Sequence, residues 1–588
     1  MACRPKIRRR TGGVYIAVLG SAMIIALLGM CALIGQRIEN RLVVASSDIR
    51  QAQLNASTAI ELAILAMKQD TNWRTTYTSG NWFTNRNTGI GSCTANVVDP
   101  LDSNLTNNPD DPVIVTGIGY SGGAEQRMQV TVDPKKTPYT CLRSAISTGG
   151  TITLSGDTLR TNGLTTPNQI SATTSQVYGK VEATSISGST YNSTTTTVTS
   201  DKRPTMPDWT AVFNYYRTNG TQIDIKSLPT TTPNLGRNPS FDVDTSYWTG
   251  TATGLPTATL VQTNSNGHTA CARVKDRVAL TSGASQYIDG FVKSGVSYNI
   301  SIQICPNSSW GNYFCVKLAT KSTSGTVQTS ASSTVAIFSG AWQTVNVTLT
   351  APTWSGNLDY ARLTVDTDST SFLASKNDFY IDNLDIRENV TGSFIYRQVL
   401  GPGLNPFGTS TNSEGVYWIN CNGNRLIIER SRIRGTLLVV NPGANSCVNN
   451  GPISWSPAVA GYPALLVDSD NGTSADFSIL ATNRALSETE NGMNYNPSGA
   501  PSDDFGQDTD TNDIYQSHIK GLIAIRHDLT YQNRSLVKGQ IIVGNNIANS
   551  SGELEVEYQP DSLLNPPPGF WSYSYVRRTS STQKVVLP

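Results

Sequence analysis

The sequence has few histidines and few charged residues, and each shortage argues against a class of function. Only three residues are His, at His268, His518 and His527, and no two of them have the i, i+4 spacing of a helical zinc site. No CxxC pair occurs, which argues against zinc and redox-motif chemistry. Charged residues make up 15% of the chain, against roughly 25% in an average soluble domain, so a coiled coil or helical bundle is excluded as the main body.

The chain also lacks an excess of charge of one sign. Its net charge is +1, and its basic residues do not cluster beyond the first ten positions, so we expect no nucleic-acid partner. No phosphate loop or nucleophile elbow is present. What the 588 residues do contain is 49 Gly and long Ser/Thr/Asn-rich stretches, which predict a mainly β protein of about three to five folded units.

The N-terminus combines basic residues with a long apolar run. Basic residues at positions 4 to 10 precede an uncharged segment over 14–35, which would measure about 33 Å as a helix. We predict a basic leader over 1–13, a transmembrane helix over 14–35, and export of the remainder from a bacterial inner membrane. A removable signal peptide is the alternative, although the run is long for one and no A-x-A site follows it closely.

An amphipathic pattern continues beyond the apolar run. Small and apolar residues recur at helical spacing at Ala52, Ala56, Ala59, Ile60, Ala63, Ile64 and Met67. This pattern predicts that the membrane helix continues outward as an amphipathic stalk helix over 36–72.

The leader, Gly12-Gly13, the apolar helix and the small-residue stalk together resemble type IV pilin-like proteins and type II secretion pseudopilins. The resemblance implies cleavage after Gly13, so that Val14 begins the mature chain, and other pilin-like subunits as partners. That family carries Glu at mature position five, where this chain has Val18. The departure favours a minor or tip component, or an anchored relative that does not polymerise. We read 73–140 as a small pilin-like sheet, with DPVIVTGIGYSGG and EQRMQVTVDP as a hairpin.

Nine cysteines are compatible with an exported protein. We expect a disulfide between Cys305 and Cys315, because YNISIQIC and FCVKLAT read as adjacent strands joined by a turn. Cys421 with Cys447 is a second possible pair. The alternative for these cysteines is a buried free thiol.

Short alternating segments over 141–233 and 389–560 predict a β-solenoid in two parts. Three segments each begin with a basic residue and Gly and continue as an apolar strand: RGTLLVV, KGLIAIR and KGQIIVG. The spacing between Gly521 and Gly539 is close to the length of one solenoid coil. An ordinary β-sandwich is the competing interpretation. We assign 561–588 to a C-terminal tail.

The block between these parts, 234–388, lacks the repeated short segments that occur on both sides of it, so we interpret it as an insertion. NPSFDVDTSYW, GHTACARVKDRV, WQTVNVTLTAP and FYIDNLDIRE resemble the xylanase-associated carbohydrate-binding modules, which implies a jelly-roll sandwich. Alternation supports a half-buried strand independently, because Tyr298, Ile300, Ile302 and Ile304 fall on one face.

A glycan site needs aromatic rings for the sugar faces and amides for the hydroxyls. The candidates are Trp248, Tyr287, Trp310 and Tyr313 as rings, with Asn299 and Gln303 as amides; core packing is the alternative for each ring. The resemblance also implies a structural calcium ion, at Asp242 and Asp382.

Two acidic stretches contain residues of the kinds used in calcium loops and in catalytic carboxylate pairs. Asp508, Asp510 and Asn512 begin like a calcium loop, but Gly and Glu are missing from the EF-hand positions, so we expect a polar loop. Asp468 and Asp470 could form a carboxylate pair, but their setting predicts a turn. We therefore favour a non-catalytic, membrane-anchored envelope or pilus-like protein that binds polysaccharide. The alternative is a tethered polysaccharide-degrading enzyme, a lyase or glycoside hydrolase.

Overall fold

The computed structural model describes residues 12–70, 72–188, 191–251, 258–288, 290–308, 310, 312–323, 325–338, 340–354, 358–367, 369–371, 374–469, 477–500, 506–578 and 584–585. Most of the predicted leader and Asp470 lie outside these residues. The chain divides into two compact units, the first formed by residues 1–137 and 571–588 and the second by residues 138–570.

Helix α1 (Gly12–Gln69) opens the first unit. Apolar side chains of its N-terminal part, from Val14 to Ile34, are exposed, and the length and composition of the helix fit a membrane span. Its C-terminal part is different, because the seven residues of the predicted stripe are all buried: Ala52, Ala56, Ala59, Ile60, Ala63, Ile64 and Met67. The helical periodicity predicted for this stripe is therefore confirmed, whereas the stalk assignment stays a prediction.

The stripe packs on an antiparallel sheet with strand order β1-β2-β3-β4. Its elements are α2 (Trp73–Thr76), β1 (Gly80–Asn87), β2 (Ser92–Val98), β3 (Val113–Ser121) and β4 (Ala124–Pro138). The predicted β3–β4 hairpin is confirmed, with Ser121 opposite Ala124. Gly117 and Gly119 allow close contact with the helix, because a Cβ on either would lie 2.0 Å from a helix carbonyl oxygen.

The second unit begins with short strands that pair in parallel. They are β5 (Ile146–Thr148), β6 (Thr151–Ser155), β7 (Thr158–Thr166), β8 (Gln169–Thr173), β9 (Gln176–Ala183), β10 (Ser185–Gly188) and β11 (Tyr191–Thr197). Helix α3 (Trp209–Asn219) follows, with Asp208 accepting hydrogen bonds from the first-turn amides of Thr210 and Ala211. Strand β12 (Thr221–Ile223) then pairs with a strand that lies after the inserted block.

The inserted block folds into two antiparallel sheets. Its strands are β13 (Trp248–Thr251), β14 (Thr259–Ser265), β15 (His268–Lys275), β16 (Gly283–Tyr287), β17 (Ser297–Pro306), β18 (Asn312–Ser322), β19 (Gln328–Ala331), β20 (Val335–Ile337), β21 (Gln343–Thr350), β22 (Leu358–Thr367) and β23 (Phe379–Glu388). The first module sheet has the order β13-β16-β22-β18-β19, with β20 also on β18, and the second has the order β14-β15-β23-β17-β21. Tyr298, Ile300, Ile302 and Ile304 are buried in the core, as their alternation predicts.

Parallel strands resume after the block. They are β24 (Ser393–Tyr396), β25 (Val399–Leu400), β26 (Val416–Asn420), β27 (Leu426–Glu429), β28 (Arg432–Arg434), β29 (Thr436–Val440), β30 (Cys447–Val448), β31 (Ser454–Ser456), β32 (Pro463–Asp468), β33 (Phe477–Ile479), β36 (His518–Ile525), β37 (Leu529–Val543) and β38 (Ile547–Tyr558). The antiparallel pair β34 (Leu486–Ser487) and β35 (Ile514–Tyr515), with α4 (Glu488–Asn491), branches from them, and α5 (Asp561–Leu564) follows β38.

Registers between these strands align apolar side chains into columns. Leu437, Leu465, Ile523, Ile541 and Ile146 are successive partners on β29, β32, β36, β37 and β5, and all five are buried. Gly521 lies opposite Gly539, at the spacing noted in the sequence. Strands from both sides of the inserted block therefore share one sheet and one apolar core.

The C-terminal segment contains structure that its assignment as a tail did not anticipate. Strands β39 (Trp571–Arg577) and β40 (Lys584–Val585) both pair with the sheet of the first unit. The ring of Tyr575 contacts Trp73 edge to face, with ring centroids 5.2 Å apart. This segment completes the first unit.

The expected disulfides are absent, because all described cysteines are free thiols. Cys305 lies on β17 of the second module sheet and Cys315 lies on β18 of the first. The connection between the two strands therefore passes from one sheet to the other, and the strands do not form a hairpin. The thiol of Cys305 contacts the carbonyl of Gly340. Cys421 and Cys447 belong to two different hydrophobic clusters, which also argues against the second pairing.

The module is joined to the parallel strands by hydrogen bonds and a shared core. The Asn234 side chain donates to the carbonyl of Leu384 and accepts from the amide of Ile386, which brings the entry and exit of the block together. Phe394, Tyr396, Ile427 and Cys447, all outside the block, pack into the module core. The domain boundaries themselves stay predictions.

Candidate functional site

The outer surface of the first module sheet carries a cluster of aromatic and basic side chains. On β22 the side chains of Leu363 and Val365 are buried in the core, so Tyr360, Arg362 and Thr364 project from the opposite side of the strand. Cross-strand register places Tyr287 of β16 and Ala319 of β18 on either side of Arg362. We call the surface formed by Tyr287, Tyr360, Arg362, Thr364 and Lys317 the aromatic face.

The two tyrosines of this face lie beside an arginine. The rings of Tyr287 and Tyr360 are perpendicular, with centroids 6.1 Å apart, and the Arg362 guanidinium lies 5.7 Å from the Tyr360 ring centroid. Among the described residues the Arg362 Nε has no hydrogen-bond partner. Rings with a nearby donor are the groups that recognise the apolar face and the hydroxyls of a sugar.

Ion pairs border the aromatic face. Lys317 Nζ lies 2.7 Å from Asp366 Oδ2, and Lys321 Nζ lies 2.8 Å from Asp359 Oδ2. Each pair holds a lysine and a carboxylate at a defined place. The exposed Lys321–Asp359 pair contributes little to stability, whereas the Asp366 carboxylate is buried. Hydrogen-bonding groups for hydroxyls are thus positioned along the strand.

More aromatic side chains lie at the other end of β18. Tyr313 is half-buried and contacts Phe338 edge to face, with centroids 5.5 Å apart. Phe338 is 62% exposed, and Trp310, in the connection before β18, is 89% exposed. Between Tyr313 and Ala319 the strand rises about 20 Å, at roughly 3.3 Å per residue. Aromatic groups therefore mark both ends of a surface long enough for several sugar units.

The predicted amides lie on the outer surface of the second module sheet. Asn299 accepts a hydrogen bond from Thr348 at 2.8 Å, and Gln303 accepts one from Asn383 at 3.0 Å. A groove of about 440 Å³ includes Asn299, Asp385 and Arg387, and no aromatic residue lines it. The predicted rings Tyr287 and Tyr313 and the predicted amides are therefore on opposite surfaces of the sandwich and cannot form one site.

Trp248 is a core residue and not a sugar platform. Its side chain is buried against Phe241, with centroids 5.3 Å apart. Its indole N–H donates to the carbonyls of Arg237 and Asn238, both at 3.3 Å. Placement in a strand that pairs with β16 explains the burial, which a single aromatic in a sequence does not reveal.

The proposed calcium residues have other partners. Asp382 is buried, its Oδ2 bonds His268 Nδ1, and its Oδ1 accepts from the amide of Asn383. Burial raises the pKa of Asp382, and the nearby charge of Asp242 raises it further. Calcium takes oxygen ligands, so the imidazole on Asp382 does not fit the ion as the residues are arranged. Calcium binding stays a prediction of the sequence.

The other acidic residues have structural partners. Asp468 is buried and pairs with Arg526 at 2.9 Å and Arg217 at 3.3 Å. Asp508 accepts from the side chains of Asn494 and Asn496. In the described part of the chain, no group of three or more His, Cys, Asp or Glu side chains is arranged to hold a metal ion.

Sequence reasoning missed Tyr360, Arg362, Lys317 and Phe338. The signal for the first two was present, since LDYARLTVDT alternates apolar residues with Tyr360, Arg362 and Thr364. Alternation in one strand does not show which sheet it joins, and for that reason these residues could not be grouped with Tyr287.

Residues 233–371 match the family of carbohydrate binding domains. The chain contains a carbohydrate-binding module. No curated protein matches the chain. Among solved structures, the chain is similar to the CBM22-1 and GH10 modules of the Clostridium thermocellum xylanase Xyn10B, with 18% identity and a TM-score of 0.23 over 33% of this chain and 38% of that one.

Single modules align over nearly their full length. The CBM22-2 xylan-binding domain of Paenibacillus barcinonensis Xyn10C is 12% identical, with a TM-score of 0.23 over 27% of this chain and 98% of that one. A further xylan-binding domain of CBM 22 is 18% identical, with a TM-score of 0.22 over 26% of this chain and 92% of that one. The chain spans only 38% of the xylanase structure named first.

Proposed function

We propose that the module binds an extended neutral polysaccharide of the xylan type on the aromatic face. The observation that carries the proposal is the arrangement of Tyr287, Tyr360 and Arg362, in which two perpendicular rings lie beside an arginine whose Nε lacks a partner among the described residues. The family match of residues 233–371 supports a saccharide as the ligand. The separation of Tyr313 from Ala319 supports a polymer over a monosaccharide.

The test compares two tyrosines on opposite surfaces. In the detergent-solubilised full chain, Tyr360→Ala should weaken xylohexaose binding by roughly tenfold, since one lost ring contact is worth about 1 to 1.5 kcal/mol. Tyr380→Ala is the matched control, because Tyr380 is also half-buried but lies on β23 of the second module sheet. Isothermal titration calorimetry measures both. Loss of binding in the Tyr380 variant alone would move the site to the outer surface of the second module sheet.

We propose that the protein acts without catalysis. Support comes from the buried carboxylates, because Asp468 is held between two arginines, where it lacks the freedom of a general acid or base. Incubating the full chain with the polysaccharide that it retains, and assaying new reducing ends, tests this assignment. Released product would favour the tethered polysaccharide-degrading enzyme.

A second proposal concerns the first unit, which we infer to be a pilin-like membrane anchor of the cell envelope. Support comes from α1, whose apolar N-terminal part is exposed while its small-residue stripe packs on an antiparallel sheet. If the leader is processed, the N-terminus of the membrane-bound protein should be Val14, and Gly13→Val should retain the leader. An intact Met1 terminus on the wild-type protein would leave a simple signal anchor.

We also propose that the parallel strands of the second unit form a β-solenoid that displays the module. The column from Leu437 through Ile541 to Ile146 supports stacked coils with a continuous apolar interior. Replacing 235–388 by a short Gly/Ser bridge in the full chain should leave cooperative unfolding of the β-rich remainder. Loss of that transition would show that the strands depend on the module.

A further inference from the structure

Basic side chains line up across neighbouring strands of the second unit, outside the module. Arg434 lies opposite Ser456, and Lys520 lies opposite Lys538. Because Ser454 is the partner of His518, Ser456 is level with Lys520, which continues the row. The residue before each basic position is buried, at Ile433, Ile519 and Val537. Because successive side chains of a strand point to opposite faces, the three basic side chains project outward. We call this row, Arg434, Lys520 and Lys538, the basic row.

The basic row brings like charges close together. Adjacent strands are about 4.8 Å apart, and like charges directly opposite each other destabilise a sheet. Lys538 has compensating contacts, a hydrogen bond to Gln516 at 2.9 Å and a longer contact to Glu557 at 3.8 Å. Lys520 has no hydrogen bond or ion pair among the described residues. The Lys520 side chain therefore adds a positive charge that no described acidic side chain pairs with.

His518 lies beside the basic row. Its side chain projects on the same side of β36 as Lys520, and its Nδ1 is buried without a hydrogen-bond partner within the described chain. Burial and, to a smaller extent, the charges of Lys538, Lys520 and Arg434 together lower the pKa of His518 to about 4. The imidazole stays neutral at physiological pH, so it can accept or donate a hydrogen bond without adding charge.

A cavity of about 430 Å³ opens beside the row, within the roughly 300 to 1,000 Å³ of small-molecule sites. Arg434 and Lys520 line it together with the hydroxyls of Ser456 and Ser562 and the amide of Asn565. Its floor includes Gly521 and Gly539, where a Cβ on Gly539 would lie 2.1 Å from the Gly521 carbonyl oxygen, so only backbone can form this surface. One acidic residue, the exposed Asp561, is also part of the lining.

We propose that this cavity binds the carboxylate group of an acidic saccharide, as a second glycan site separate from the module. Arg434 and Lys520 supply cations for the carboxylate, and Ser456, Ser562 and Asn565 supply partners for ring hydroxyls. The ring of Tyr462, also in the lining, offers an apolar surface for a sugar. The site does not depend on the aromatic face, so either assignment can fail without the other.

The experiment measures binding of galacturonate oligosaccharides to the detergent-solubilised full chain. Lys520→Met should weaken binding at least tenfold, Lys520→Arg should retain it, and raising NaCl should weaken binding to the wild type. Lys226→Met is the matched control, because Lys226 is exposed and does not line the cavity. Xylohexaose binding should be the same in all these variants, since its proposed site is in the module.

Three outcomes would overturn the proposal. The first is an affinity for oligogalacturonate that does not change in Lys520→Met. The second is equal loss in Lys226→Met, which would show a diffuse charge effect. The third is binding of inorganic phosphate without binding of oligogalacturonate, which would make the ligand a free oxyanion. Circular dichroism of Lys520→Met establishes that the variant is folded, and Lys520→Arg provides the comparison if it is not.

Discussion

The junction between the module and the parallel strands depends on one buried lysine. Lys293 Nζ lies 2.6 Å from Glu388 Oε1 in the module and 2.6 Å from Glu429 Oε2 on β27, and all three side chains are at most 5% exposed. Glu429 also has Arg430, at 3.1 Å, and the Asn449 side chain, at 2.8 Å. In Lys293→Met, Glu429 would keep its contact with Arg430, whereas Glu388 would lose its cation contact.

The size of the effect follows from the protonation of Glu388. Burial already raises the pKa of Glu388, whereas the charges of Lys293 and Arg430 keep the pKa of Glu429 below its usual value. Without Lys293 the folded variant should bind a proton at Glu388. At pH 7 that protonation costs about 3.7 kcal/mol, since a free Glu has a pKa of roughly 4.3 and each pKa unit is worth about 1.36 kcal/mol. This agrees with the roughly 3 to 5 kcal/mol for breaking a buried pair.

The loss should depend on pH in one direction. The folded variant binds one proton more than the unfolded chain at neutral pH, so its stability rises by about 1.4 kcal/mol per pH unit as the pH falls from 7 to 5. In the wild type the contribution of Glu429 has the opposite sign and lies at lower pH, because its lowered pKa gives stability that is present above the unfolded value and lost as the pH falls through the folded value.

Denaturant unfolding of the full chain, followed by tryptophan fluorescence at several pH values, measures both effects. Lys321→Met is the matched control, because Lys321 pairs with Asp359 on the surface and should change stability by less than about 1 kcal/mol. Equal losses in the two variants, or a Lys293→Met loss that does not vary with pH, would refute the assigned role of the buried cluster.

Three further predictions concern residues that the sequence singled out. Trp248→Ala should cost about 3 to 5 kcal/mol in unfolding experiments as a core truncation, whereas the exposed Trp310→Ala should cost less than about 0.5 kcal/mol; a similar cost for both would contradict their different burial. Because Cys305 and Cys315 are free thiols, a reductant should leave the thermal midpoint unchanged, and a clear drop would indicate a disulfide. Because Asp382 Oδ2 already bonds His268 Nδ1, we expect EDTA and added Ca²⁺ to leave the midpoint unchanged; a calcium-dependent rise that is lost in Asp382→Asn would support the calcium prediction.

Local periodicity in the sequence was sufficient wherever one face of an element meets a core. The stripe from Ala52 to Met67 is buried as its helical spacing requires, and Tyr298 to Ile304 alternate as a half-buried strand requires. The spacing of Gly521 and Gly539 anticipated their direct opposition. In each case the repeat of the backbone itself places these side chains on one side, so the pattern identifies the buried face.

Which elements become neighbours was decided only by the tertiary structure. A short connection between Cys305 and Cys315 suits a hairpin and a crossing between sheets equally well, and the structure has the crossing. Ile146 stacks on Ile541, and Trp571–Arg577 joins the sheet of the first unit, although hundreds of residues separate the partners. Periodicity carries no information about such distant partners. The aromatic face and the basic row likewise exist because strand register places residues from separate segments side by side.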